Sequence, residues 1–348
     1  MGQVQIGNYN ISAKNAPFII AEAGINHNGE LEKALEMIMI AKSCGANAVK
    51  FQTFKADEFV SDPNQMYTYT SQGKKITESM LEMFKRHEFS KEEWIKIKKK
   101  CDEEKIMFLS TPLNKSDLDF LLELDIPAIK LGSGDLTNIP FLKYCSITRL
   151  PIIISCGMAT LSEISQALNA IGIQDGYPLI LLLTTSEYPT SPENVHLLKM
   201  RTLSEEFPKI PLGFSDHTQG QLASSLAVAF GACVFEKHFT LDHDLPGPDH
   251  WFSEEPADLQ SWVNAIKTAY IMMGNPIVQP TEKEKQNKKD FRKVIVAGQH
   301  IKSGEILNSK NIAFKRVEGG KGLSPVFYEK IVGKKASKDY LKGASIEE

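Results

Sequence analysis

Eight short apolar runs recur between positions 17 and 238 with amphipathic stretches between them, and this alternation limits the fold more than any other feature. The runs are Pro17–Glu22, Ala48–Gln52, Ile106–Ser110, Ala128–Leu131, Pro151–Ser155, Leu179–Thr184, Pro211–Ser215 and Cys233–His238. Each is continuously apolar, as a strand buried on both faces must be, rather than alternating as a half-exposed strand does. Between them Leu31–Cys44, Lys91–Lys105, Leu161–Ile171 and Gln219–Phe230 read as amphipathic helices, and Thr160-Leu-Ser-Glu163 has the pattern of a capping box. The expected fold class is α/β, a (β/α)8 TIM barrel of about 250 residues. A doubly wound sheet fits less well, because no Gly-rich dinucleotide fingerprint follows the first run.

The barrel is expected over residues 1–274, with Val4–Ile11 as a small hairpin that plugs its bottom. The connection 54–90 is unusually long for such a barrel and reads as a lid or substrate loop. Residues 275–290 are polar, proline-containing and densely charged, the composition of a flexible linker. Residues 291–348 form a second, small module of short strands and Gly-containing turns, marginal in size by itself.

Net charge over the 348 residues is −3, which excludes a sequence-independent nucleic-acid binder, since that needs a basic excess. The five cysteines are scattered without CxxC spacing, so reduced, buried thiols are expected rather than disulfides or a Cys-based zinc site. No apolar run approaches the roughly 20 residues that span a bilayer, and the N-terminus has no apolar signal core. A cytoplasmic protein that meets no membrane is expected.

Chemistry in such barrels sits where strands end and βα loops begin. Those ends carry Glu22; Lys50 and Gln52; Ser110 and Thr111; Lys130 and Ser133; Ser155; Thr185, Ser186 and Tyr188; Ser215 and His217; Glu236 and His238. A lysine buried in a barrel strand needs an anionic partner or loses its proton. The favoured partner for Lys50 and Lys130 is a phosphate, with Ser133, Ser155 and Ser215 beside it and the flexible turn Gly132-Ser133-Gly134 offering backbone N–H groups. His217 and His238 end neighbouring strands and can face one divalent metal ion, leaving positions open for water and substrate. Glu22 is the leading carboxylate for proton transfer. The turn at Pro246-Gly247 holds Asp249 over the barrel mouth, placed for a polyol hydroxyl. His27 reads as a loop residue near the site, whereas His87, His196, His243 and His300 read as surface histidines.

Together these residues resemble the sialic acid synthase family, which makes N-acetylneuraminate, N,N'-diacetyllegionaminate and pseudaminate. The matching stretches are residues 20–29 (IAEAGINHNG), 49–53 (VKFQT), 110–112 (STP), 129–134 (IKLGSG), 155–158 (SCGM), 213–217 (GFSDH), 236–240 (EKHFT) and 246–249 (PGPD). The C-terminal module resembles the family's antifreeze-like (SAF) domain, with Phe314-Lys315-Arg316 at the place of its substrate-contacting arginine. The resemblance implies a transferase that condenses phosphoenolpyruvate (PEP) with an N-acetylmannosamine-type amino sugar and water, releasing phosphate. It implies that Lys50, Thr111, Lys130, Ser133, Ser155, Ser186 and Ser215 hold PEP. His217 and His238 would hold Mn²⁺, with Mg²⁺ or Co²⁺ as alternatives. Gln52, Tyr188, Asp249 and Arg316 would position the sugar, and Glu22, Gln52 and Lys50 would take part in catalysis. It further implies a domain-swapped homodimer in which Arg316 acts in the partner's site. Ser186 stands where some members have asparagine, and Asp135 where many bacterial members have glutamate. The rivals are a PEP-dependent sugar-phosphate synthase, which would need a second basic cluster, and a binding protein built on a spent barrel.

Overall fold

The structure, a computed structural model, describes residues 2–347. The chain divides between Gly274 and Asn275 into two compact units.

In the first unit the chain starts with an antiparallel hairpin, β1 (Val4–Ile6) and β2 (Tyr9–Ile11). The parallel strands follow as β3 (Phe18–Gly24), β4 (Ala48–Thr53), then β7 (Met107–Pro112), β8 (Ile129–Leu131), β9 (Ile152–Ser155), β10 (Leu179–Thr184), β11 (Leu212–Asp216) and β12 (Val234–His238). An inserted antiparallel hairpin, β5 (Met66–Ser71) and β6 (Lys74–Ser79), occupies the long connection after β4. The parallel strands form one eight-stranded sheet ordered β7-β4-β3-β12-β11-β10-β9-β8. Its two ends, β7 and β8, lie against each other and nearly close the barrel. Helices between the strands pack on the outside, and the expected capping box at Thr160 and Glu163 is formed at the start of Leu161–Ile171.

Period two along each strand sorts its side chains between two cores. Ile19, Val49, Phe108, Ile129, Ile154, Leu181, Phe214 and Phe235 face outward into the layer under the helices. Ile20, Ala48, Leu109, Ala128, Ile153, Ile180, Leu182 and Val234 face inward, where Val4, Ile6 and Ile11 of the first hairpin join them. That hairpin closes the lower end of the barrel, as expected. Continuing the inward parity past the apolar layer brings Glu22, Lys50, Thr111, Lys130, Ser155, Thr184, Ser215, Glu236 and His238 to the opposite end, all buried. Ser110 has the outward parity and leaves the ring: its hydroxyl pairs with Thr53 Oγ1 at 2.7 Å and donates to the Phe51 carbonyl.

The second unit holds a small core around Ile295, Ala297, Ile301, Leu307, Tyr340 and Ile346, with β13 (Val294–Ala297) antiparallel to β14 (Ile312–Lys315). The stretch read as a linker is not wholly irregular. Glu282–Phe291 is a helix, started by a capping box between Thr281 and Glu284 and carrying acidic residues in its first turn and Lys288 and Lys289 in its last. Charge here follows the helix dipole rather than marking disorder. All five cysteines are free and buried. No helix among the described residues is long and apolar enough to cross a membrane.

Candidate active site

Glu22, Lys50, Gln52, Thr111, Lys130, Ser133, Ser155, Ser186, Tyr188, Ser215, His217 and His238, singled out from the sequence on different strands, line a single cavity of ≈ 680 Å³ at the C-terminal end of the barrel. Asp249 lines an adjoining cavity of ≈ 430 Å³, which shares Gln52, Tyr188 and His238 with the first. Arg316 belongs to the second unit, where its guanidinium lies 5.4 Å from the Phe291 ring centre.

The two lysines are held inside the barrel and do not snorkel, their side chains being only 4 % and 3 % exposed. Lys50 Nζ lies 2.8 Å from Glu22 Oε2 and 3.8 Å from Glu236 Oε2, and donates to Thr111 Oγ1 at 3.1 Å. Lys130 Nζ lies 3.5 Å from Glu236 Oε1 and donates to Ser155 Oγ at 3.0 Å. Both lysines therefore have carboxylate partners within the barrel itself. Glu236, noted in the sequence only as a polar strand end, bridges both lysines and accepts from Ser215 Oγ at 3.2 Å. Its parity on β12 was the signal that it faces the same point as Lys50 and Lys130.

These contacts separate the protonation of the group. Burial opposes charge on all four side chains. For Lys50 the carboxylates of Glu22 and Glu236 outweigh burial and raise its pKa, whereas for Lys130 burial prevails and lowers it. Glu236 lies between both lysines, which outweigh its burial and hold it below the usual carboxylate range. Glu22 is raised, by burial first and by repulsion from Glu236, against the pull of Lys50. A carboxyl with a raised pKa beside a carboxylate with a lowered one is the pattern of a proton carrier next to a fixed charge.

The glycine that matters lies outside the Gly132-Ser133-Gly134 turn. A Cβ at Gly132 or Gly134 would meet nothing within 4 Å, so neither position needs glycine for space. At Gly157 a Cβ would overlap Ser186 Oγ and come within 2.8 Å of Ser133 Oγ. The Gly157 N–H donates to Ser133 Oγ at 2.9 Å. Ser133, Ser186 and the Gly157 backbone therefore form a concave cradle across the ends of β8, β9 and β10.

The two histidines line the same cavity, following β11 and ending β12. His217 Nδ1 is 2.8 Å from the Thr185 carbonyl, so Nδ1–H donates there and Nε2 keeps its lone pair. His238 Nδ1 is buried without a hydrogen-bond partner and lies 3.9 Å from Asp249 Oδ2. The ring centres are 5.6 Å apart, and Tyr188 stacks 4.2 Å from His217. Burial lowers the pKa of both imidazoles, so both are neutral and able to act as ligands. No group of three or more His, Cys, Asp or Glu among the described residues is arranged to hold a metal ion by itself. Two neutral imidazoles, one with an orphaned nitrogen, fit a borderline divalent ion that takes its other ligands from water and substrate.

Asp249 is held by the 240–254 loop. Gly247 has φ +154°, and its N–H donates to Ser71 Oγ on β5 at 3.1 Å, which ties this loop to the inserted hairpin. Burial, then the nearby Glu22 charge, push the Asp249 carboxyl up to about 7. Outside the ring His196 and His300 are exposed, as their surface reading expects, but His87 is not. It is buried just past the helix Met80–Lys85, with Nδ1 2.7 Å from the Met83 carbonyl and its ring centre 6.5 Å from that of His27. His27 is itself buried, stacked 4.3 Å from Phe89.

The NeuB family profile matches residues 37–278, and a SAF domain profile matches residues 292–347. The chain belongs to the NeuB family. It is 41% identical over 336 residues to the N,N'-diacetyllegionaminic acid synthase of Campylobacter jejuni, covering 95% of this chain and 98% of that one. It is 34% identical over 333 residues to human N-acetylneuraminate-9-phosphate synthase, covering 93% and 90%. The crystal structure of the N-acetylneuraminic acid synthetase of Leptospira borgpetersenii superimposes with a TM-score of 0.73 at 32% identity, covering 82% of this chain and 96% of that one. Sialic-acid-type synthases are therefore among the relatives of this NeuB chain, and they differ among themselves in product.

Proposed function

We propose that this NeuB protein is a transferase that condenses phosphoenolpyruvate with an N-acetylmannosamine-type amino sugar and water. The product would be N-acetylneuraminate or N,N'-diacetyllegionaminate, with release of phosphate. The observation that carries the reading is the convergence of two buried lysines, the Ser133–Gly157–Ser186 cradle and two neutral imidazoles on one cavity.

In this reading Lys50 and Lys130 meet the carboxylate and phosphate of PEP, with Thr111, Ser155 and Ser215 as hydroxyl partners and Ser133 and Ser186 closing the cradle. Glu22 and Glu236 hold the two lysines in place before the anion arrives. A divalent ion held by His217 and His238, Mn²⁺ in the first instance, would supply Lewis acidity at the sugar aldehyde. Gln52, Tyr188 and Asp249 orient the sugar so that the PEP methylene faces the aldehyde carbon. Attack forms the C–C bond, water captures the resulting oxocarbenium, and the tetrahedral adduct expels phosphate. Glu22, with its raised pKa and its Oε1 3.3 Å from Gln52 Nε2, carries the proton in these steps. Arg316 would complete the site of the partner in a domain-swapped homodimer, a role supported by its place in the family pattern.

The test is phosphate release from PEP with Mn²⁺ and amino-sugar acceptors, with and without EDTA. EDTA-sensitive release is expected, and His217→Ala and His238→Ala each remove metal binding together with turnover. Full activity in EDTA, or wild-type metal binding in both variants, rules out the metal assignment. A folded, metal-loaded protein that turns over no amino sugar rules out the reaction.

A further inference from the structure

Outside the ring, a depression of ≈ 330 Å³ lies between the end of β4 and the helices Lys91–Glu104 and Lys115–Glu123, and it shares no residue with the main cavity. Its position follows from period two along β4, where Lys50 and Gln52 take the inward parity and Thr53 the outward one. The short helix Ala56–Phe59 repeats the division, giving Glu58 to this depression and Phe59 to the main cavity. Phe89, Trp94 and Phe120 form its aromatic walls, with the carboxylates of Glu58, Asp117, Asp119 and Glu123 among them.

Asp117 separates this place from an ordinary acidic surface. It is 4 % exposed, and its Oδ2 is buried without a hydrogen-bond partner. A buried acceptor left unmet is costly, so the geometry calls for a donor. Burial, then the charge of Glu58, push the Asp117 carboxyl up to about 6. The two lysines that line the depression are engaged with other carboxylates. Lys55 Nζ lies 3.3 Å from Glu88 Oε2, and Lys91 Nζ lies 3.7 Å from Glu123 Oε2. Glu58 accepts from the Ser116 hydroxyl and Asp119 from the Tyr144 hydroxyl, which leaves Asp117 alone unmet.

Lys91 also shows what the walls accept. Its ammonium sits 4.9 Å from the centre of the Phe120 ring, beside a carboxylate, as a cation on an aromatic face does. Four carboxylates against two lysines leave the lining net negative, which favours a further cation. No group of three or more His, Cys, Asp or Glu among the described residues is arranged to hold a metal ion, and aromatic walls supply no metal ligands.

We propose that this depression is a binding site for a small organic cation, a primary ammonium or a guanidinium. Its N–H groups meet Asp117, and its carbon chain lies against Phe89, Trp94 and Phe120. The ligand supplies the donor that Oδ2 lacks and holds the carboxyl in its charged form. Since Thr53 and Glu58 adjoin Gln52 and Phe59 in sequence, an occupied site stands behind the catalytic cavity and apart from it.

The experiment titrates the full chain with n-propylammonium and n-propylguanidinium chlorides by calorimetry at about pH 6, near the Asp117 midpoint, in two buffers of different ionisation enthalpy. Sodium chloride at equal ionic strength is the control. Saturable binding is expected, with release of a proton that fades about two pH units higher, where Asp117 is already charged. Asp117→Asn should weaken binding by about tenfold or more and abolish the proton release. Glu123→Gln, at an exposed position, keeps the test open should Asp117→Asn not fold, and it should weaken binding with Tm unmoved. Probes that bind no better than sodium, or equally well to Asp117→Asn, overturn the proposal. Displacement of the probes by Mg²⁺ overturns it in favour of a metal site.

Discussion

Lys237 neighbours His238 in sequence but points out of the barrel, and it makes the most exposed test of the packing argument. Its side chain is 2 % exposed, and its Nζ lies 3.2 Å from Asp216 Oδ2 and 3.4 Å from Glu254 Oε1 while donating to the Thr218 carbonyl. Asp216 is its cross-strand partner in the β11–β12 register. Replacing Lys237 with Met keeps the apolar stem and removes the charge. Asp216 retains the Thr218 N–H, the Thr218 hydroxyl and Ser224, and Glu254 retains the Gly220 N–H, but both carboxylates lose their counter-ion. Breaking a buried pair in this way costs about 3–5 kcal/mol. With about 2.1 cal/mol/K of unfolding entropy per residue, a barrel unit of roughly 270 residues has about 0.6 kcal/mol/K, so its Tm falls by about 5–9 °C. Calorimetry and urea titration followed by near-UV circular dichroism measure both quantities. Lys99→Met, which breaks an exposed pair with Glu103, serves as the control and leaves Tm unmoved. A loss for Lys237→Met below about 1 kcal/mol, the range of a surface pair, would show that the triad is not desolvated as described and would refute the reasoning.

Gly157→Ala places a methyl between Ser133 and Ser186, and overpacking of about 1–3 kcal/mol there should lower the Tm by about 2–5 °C while the displaced serines weaken PEP binding; unchanged PEP affinity removes the cradle from the site. The Asp249 carboxyl is raised from 3.8 to about 7, so the folded state holds its proton longer than the unfolded chain does. Wild type should therefore lose stability relative to Asp249→Asn as pH rises from about 4 to about 7, with a constant difference above that; Tm difference curves without this slope contradict the burial of the carboxyl. Arg316→Ala should raise the acceptor KM more than the PEP KM, and mixing it with Lys50→Ala should restore part of the turnover if the dimer is swapped. Mixtures no more active than their components count against the swap.

Much of the site was legible because period two does not depend on long-range contacts. Once β4, β8 and β12 are read as buried strands, Lys50, Lys130 and His238 must lie at the same end with their neighbours of equal parity. The same rule, followed residue by residue, would have moved Ser110 out of the ring and promoted Glu236, whose position between two lysines outweighs its reading as a polar strand end. His87 could not be placed this way, because its burial depends on the inserted segment packing against the His27 loop, a contact between distant segments.

Local order therefore determined the strand runs, the capped helices, the plug hairpin and the inward parity of the polar residues, since each is fixed by neighbours within a few positions. Tertiary structure alone decided which charges meet: Glu236 between Lys50 and Lys130, Lys237 between Asp216 and Glu254, and Gly157 where a Cβ would fill the space between Ser133 and Ser186. The reason is geometric. Parity says which face a side chain takes, but the distances that set its protonation and its partners depend on strand order and register around the barrel.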